Sequence, residues 1–161
     1  MKPFTKPELK SLVIIFSVLV MVSIPNFIVS LRRARDQVRR DDLGALEKVL
    51  GEYLADFKEF PPSGGDGRIM ELAWGKDSFD KYMHILPADP HTAKGVRYMY
   101  FSDSGRYQIF ASMEGKDEAE IDQKIIDRGL MCGSRVCNVG RFYGCDTAKS
   151  IEECEREAGE R

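Results

Sequence analysis

The chain has 161 residues, room for one ordinary domain plus an anchor or a tail, and its 24 Lys and Arg against 26 Asp and Glu give a formal charge of −2. That balance excludes a globally basic protein that coats nucleic acid, so no nucleic-acid partner is expected. The mean hydropathy of −0.33 suits a soluble protein, but it conceals a split: residues 11–30 carry no charge, and nearly all the ionisable groups lie in 31–161.

Residues 1–10, MKPFTKPELK, read as a short leader and cytoplasmic edge. Residues 11–30, SLVIIFSVLVMVSIPNFIVS, are apolar on every face. As a helix they extend about 30 Å, one hydrocarbon thickness. No small-residue cleavage site follows them, so a retained transmembrane half is favoured over a removed signal. Lys2, Lys6 and Lys10 precede the span while Arg32, Arg33 and Arg35 follow it, so charge alone does not orient it.

Residues 31–60 continue the same helix as an amphipathic half. Leu43, Leu46, Leu50, Leu54 and Phe57 recur at spacings of three and four, and Val49 and Tyr53 widen that face. One helix from about Glu8 to Phe60 is expected, interrupted by Pro25 and stopped by Pro61-Pro62. The arginines 32, 33, 35, 39 and 40 are expected to meet lipid headgroups or to pair along the helix with Asp36, Asp41 and Asp42.

Residues 61–130 read as a globular head. Ser63 to Gly67 form a loop, and short helical turns are expected at Ile69–Ala73 and Phe79–Leu86. In Leu86-Pro87-Ala88-Asp89-Pro90, Asp89 can close an Asx turn that aims the chain into a strand. Residues 96–101 and 106–113 read as two strands of a hairpin turning at 102–105. Glu114 and Asp117, with Glu118 and Glu120, offer oxygen ligands that suit calcium. The stronger expectation is a capping box, Asp117-x-x-Glu120, opening a short helix through Ile121, Ile125 and Ile126 to Gly129. Only His84 and His91 are available as imidazoles, and no nucleophile or zincin motif is present, so an enzyme is not expected.

Residues 131–161 form a tail holding all four cysteines, Cys132, Cys137, Cys145 and Cys154. Their gaps of four, seven and eight residues do not match a zinc ribbon. Outside a membrane they are expected to oxidise in pairs. Three connectivities are possible. Cys132–Cys137 with Cys145–Cys154 is favoured, because neighbouring pairs close small loops.

Phe4-Thr5-Lys6-Pro7-Glu8-Leu9, the apolar run and Ile24-Pro25 together resemble the start of type IV pilins and type II secretion pseudopilins. Glu8 falls four residues after Phe4 and Pro25 seventeen after Glu8, as in that family. LPADP followed by aromatic strands resembles the pseudopilin branch, whereas a cysteine-closed tail resembles pilins. The resemblance implies an α+β pilin fold: a long N-terminal transmembrane helix packed on a small antiparallel sheet, with a disulfide-closed C-terminal region. It implies a filament subunit, homo-oligomeric and joined by other pilin-like subunits, that leaves membrane lipid through an inner-membrane assembly platform. The C-terminal domain would be extracytoplasmic and no cofactor is implied. Phe4, Glu8 and Pro25 would serve subunit assembly, with Glu8 meeting the N-terminal amine of a neighbour's Phe4. The alternative is an anchored extracytoplasmic binding module that does not polymerise. Pro3 stands where the family carries Gly, so cleavage before Phe4 is not expected. The intact mass of membrane-extracted protein should therefore begin at Met1, and a methylated species beginning at Phe4 would refute this.

Overall fold

The computed structural model describes residues 6–116 and 118–159. Phe4, the Pro3–Phe4 junction and Asp117 lie outside them. The chain is α+β. Helix α1 runs unbroken from Lys6 to Phe57, 52 residues, with Pro25 inside. At 1.5 Å per residue this is a rod about 78 Å long. Lys58 ends it in the left-handed region, at φ 64°. Its amide closes back on Leu54 O at 2.8 Å, before Pro61 and Pro62 forbid further helix.

Strands β1 (Met99–Ser102) and β2 (Tyr107–Ala111) form the expected hairpin. Sequence periodicity did not reveal the third strand. Strand β5 (Val139–Tyr143) pairs antiparallel with the other edge of β2, so the sheet order is β1-β2-β5. The boundary drawn at residue 130 is therefore not a boundary in space, since the tail supplies a strand of the head's own sheet. Between them lie a short helix α2 (Gln123–Asp127) and a two-residue hairpin, β3 (Met131–Cys132) with β4 (Arg135–Val136). Helix α3 (Ile151–Gly159) ends the described chain.

The amphipathic half of α1 lies against β2 and β5. Leu43, Leu46, Val49 and Leu50 are buried there with Tyr98, Tyr100, Ile109 and Val139. Every residue of β2 is buried. Leu54 is only half-buried and Phe57 is 52% exposed, so the core stripe fades before the helix ends. The helical turns expected at 69–73 and 79–86 are instead turns and isolated bridges, Ser63 with Ile69 and Phe79 with Met83. Met70, Glu71 and Asp80 adopt positive φ, which no right-handed turn tolerates. The apolar residues of this stretch still reach the core: Ile69, Phe79 and Leu86 are buried.

Helix α2 corrects the capping-box expectation. It begins at Gln123, and its N-cap is Asp122, whose carboxylate accepts from Lys124 N at 2.9 Å. Glu120 is drawn away to Arg40.

Both disulfides are local, Cys132–Cys137 and Cys145–Cys154. The first closes the β3–β4 hairpin, where Gly133 has φ 74° and passes so near Gly95 that a Cβ would sit 1.9 Å from Gly95 O. The second ties α3 to the loop after β5. That loop is held from inside by Gln108, fully buried on β2, whose Nε2 donates to the carbonyls of Asp146 and Lys149, each at 2.7 Å. Non-reducing mass should fall four hydrogens below the reduced value. Paired Ser substitution of Cys145 and Cys154 should cost about 2–4 kcal/mol in urea unfolding. An unchanged midpoint would show that Gln108 alone suffices.

Candidate functional site

Two features of α1 adjoin each other: an uncovered apolar half and a charged collar where the helix enters the head. The apolar half comes first in the chain. From Lys6 to Leu31 every described residue is exposed. Phe16 is 67% and Met21 74% exposed. The most apolar window has a mean hydropathy of 2.6 and none of it is buried. The helix is thus long and apolar enough to cross a membrane, and its apolar half is no part of the core of this molecule.

Its few polar side chains are turned back on the backbone. Ser11, Ser17 and Ser30 donate to the carbonyls of Pro7, Val13 and Asn26, at 3.1, 2.8 and 2.9 Å. Asn26 Nδ2 donates to Val22 O at 3.1 Å, just beneath Pro25. Pro25 has no N–H, so the carbonyl four residues earlier loses its helical donor and the ladder is weakest here. Asn26 supplies an additional donor at that turn. Local satisfaction of this kind is what a helix in hydrocarbon requires. Glu8 and Pro25 both lie on this exposed half.

The collar follows. Asp36 and Arg39 are each fully buried. Arg39 Nη1 donates to Asp36 Oδ1 at 2.7 Å, and its Nε and Nη2 reach the two oxygens of Asp89 at 2.7 and 3.0 Å. Asp89 also accepts from His91 N at 2.7 Å, which is the expected Asx turn. One carboxylate therefore shapes the entry to β1 and clamps the helix. Asp36 further accepts the amides of Glu114 and Gly115, each at 2.9 Å.

Glu114 completes the collar. It takes Arg35 through a two-pronged contact at 2.7 and 2.8 Å, and Arg39 Nη1 at 3.0 Å. Next to it, Arg40 bridges Glu118 and Glu120. These contacts replace the headgroup or intrahelical roles expected of arginines 35, 39 and 40; only the Asp36–Arg39 pair is intrahelical. They also engage three of the carboxylates considered for calcium, Glu114, Glu118 and Glu120, while Asp117 lies outside the described residues. Glu114 faces two guanidinium groups within 3.0 Å, a position that repels a divalent cation. Among the described residues no group of His, Cys, Asp and Glu is arranged to hold a metal. Asp42 and Tyr98 add a 2.6 Å hydrogen bond one turn further along.

The charges respond to this packing. Burial opposes the Arg39 cation, but the hydrogen bonds and charge of Asp89, with Glu114 and Asp36, raise its pKa above the ordinary value. Hydrogen bonding from Arg35 is the main cause that holds Glu114 at about 2, against an ordinary 4.5. Burial pushes the His91 imidazole below its usual range, against the pull of Glu114. A carboxyl depressed on folding adds stability that is fully present above about pH 4.5 and is lost as pH falls through about 2. The urea midpoint of the chain should therefore drop between pH 5 and pH 2, and Glu114→Gln should remove a share of that drop. Parallel pH profiles for parent and variant would show that Glu114 is not among the groups responsible.

No family model matches the chain, and no curated protein and no solved structure matches it.

Proposed function

We propose that the chain is a structural subunit of a type IV filament system, a pilin or pseudopilin, that polymerises through its N-terminal helix. One observation carries the reading: a single helix supplies both a wholly uncovered apolar half and, without a break, the central element of a folded head. An ordinary anchor needs no rigid continuity with its domain. A subunit that must transmit axial position from a helical bundle to a surface head does need it.

In this reading residues 11–30 hold the subunit in the membrane before assembly, and the head lies on the extracytoplasmic side. Two closed disulfides support that placement, since such bonds persist in oxidising compartments. Lipid tails are as apolar as the helix, so the hydrophobic effect does not drive bundling within the bilayer. Transfer from bilayer to filament therefore calls for an inner-membrane platform powered from elsewhere. The pseudopilin resemblance of LPADP now has a physical counterpart in the Asp89–Arg39 clamp, which makes the loop part of the helix–head joint.

The test is assembly itself. The full chain, expressed with the assembly genes of its host, should appear in sheared or overproduced filaments by electron microscopy, identified there by peptide mass. Chain confined to the membrane under all such conditions would instead favour an anchored binding module that does not polymerise.

A further inference from the structure

The collar leaves three cations unspent. Arg35, Arg39 and Arg40 are each held by carboxylates. Arg32, one turn nearer the apolar half, has no ion pair or hydrogen bond among the described residues, and its Nε–H is buried without an acceptor there. It lines a cleft of about 530 Å³ together with Lys116 and Arg135. Neither of those is paired among the described residues. The carboxylate in the cleft wall, Glu114, is already engaged by Arg35 and Arg39. The amide of Asn138 is spent on the backbone of Met113. Among the described residues, the open polar capacity of the cleft is therefore cationic apart from the amide oxygen of Gln123.

Its remaining lining combines apolar Met113, Ile121 and Ile126 with Gly115 and with Gln123, whose Nε2 donates to Asp127 at 2.8 Å. Its height along α1 is fixed by the helix. Leu31 is the last residue of the uncovered apolar run, and Arg32 follows it. Val29 sits three residues before Arg32, hence on the same face, and continues that face into the apolar half. A cationic mouth above an apolar helix face suits an amphiphile with an anionic head.

We propose that this cleft binds the phosphate of an anionic phospholipid, phosphatidylglycerol being the probe, with its acyl chains lying along the Val29 face of α1. This rests on the membrane reading of the N-terminal helix. Arg32 and Arg135 from helix and head would share one phosphate and so fix the tilt of the head above the bilayer. The buried Nε–H of Arg32 would gain the acceptor that such a group needs.

Two measurements separate the site from the reading beneath it. Flotation of the full chain with pure phosphatidylcholine vesicles tests insertion alone. A chain that does not float there overturns the membrane reading and this proposal together. Native mass spectrometry of the full chain in micelles then tests the site, with phosphatidylglycerol, phosphatidylcholine, glycerol 3-phosphate and inorganic phosphate offered separately. One retained phosphatidylglycerol per chain is expected, in preference to the other three. Retention should weaken about fivefold for each cation removed in R32Q, K116Q and R135Q. R33Q, at an exposed neighbour, should leave it unchanged. K116Q removes an exposed loop cation and keeps the test intact if the other two variants fold poorly. Equal retention of phosphatidylcholine, or an equal loss in R33Q, would overturn the site in a chain that still floats. Equal retention of inorganic phosphate would overturn its assignment to lipid.

Discussion

Replacing Arg39 with Ala should destabilise the head by about 3–5 kcal/mol, the usual result of removing one partner from a buried ionic group. Among the described residues Arg39 is the sole cation paired with Asp36 and Asp89, and all three side chains have no exposed surface. The variant leaves two buried carboxylates without their counterion. Asp89→Asn should cost less, because the amide keeps an oxygen for the His91 turn and Arg39 retains Asp36 and Glu114. A control is available at Lys48–Glu52, a 3.9 Å pair of exposed side chains, where Lys48→Ala should change stability by no more than about 0.5 kcal/mol. Urea unfolding in micelles can be followed at Trp74, the single tryptophan, which packs edge-on against Tyr98 within the head. A loss below about 1 kcal/mol for Arg39→Ala would mean that water reaches the two carboxylates and the collar does not hold the joint.

The collar also shows where sequence reading stops. Helix, helix stop, hairpin and disulfide pairing were legible because each is local: a spacing of three and four, a Pro-Pro pair, alternating aromatics around a turn, and neighbouring cysteines. The third strand was not, because 139–143 gains its meaning only from β2, about thirty residues away in sequence. The turns between 63 and 86 were misread as helical because their apolar spacing is set by contact with the core, while positive φ at Met70, Glu71 and Asp80 is invisible to periodicity. The collar did leave a signal. Asp36 and Arg39 continue the stripe of Leu43, Leu46 and Leu50 with the same spacing of three and four. Two charges in register with a core face announce a buried ion pair, and the partner to seek is a carboxylate fixed in a turn. Reading the arginines as one group of five hid that register. It also hid the difference between Arg39, inside the joint, and Arg32, at its edge.

If the chain polymerises as proposed, the Glu8→Ala variant should build no filaments while its head remains folded. Glu8 lies on the exposed half of α1, about 28 residues before the collar, far along the helix from the ion pairs that hold the head. A carboxylate at the membrane edge is expensive to carry into a helical bundle. Retaining it makes sense if a cation on the next subunit meets it, and that meeting sets how far one helix slides past another. If Phe4 begins the mature chain, the cation is its amine. If cleavage is blocked by Pro3, Lys6 or Lys10 of a neighbour takes that place. Removing the carboxylate eases insertion and also leaves the neighbour's cation without its partner in low dielectric, at a cost of about 3–5 kcal/mol per contact. The loss is repeated at every subunit, so assembly fails rather than slows. The variant should accumulate in the membrane with both disulfides closed and with the urea midpoint of the parent. Glu8→Asp should fall between the two, since the charge survives on a shorter arm. Shear fractions viewed by electron microscopy, beside membrane blots, give the answer. Filaments of parental number and length from Glu8→Ala would refute the register role. A folded, membrane-bound and unassembled variant separates it from a general defect, because the same preparation reports on insertion, folding and polymerisation independently.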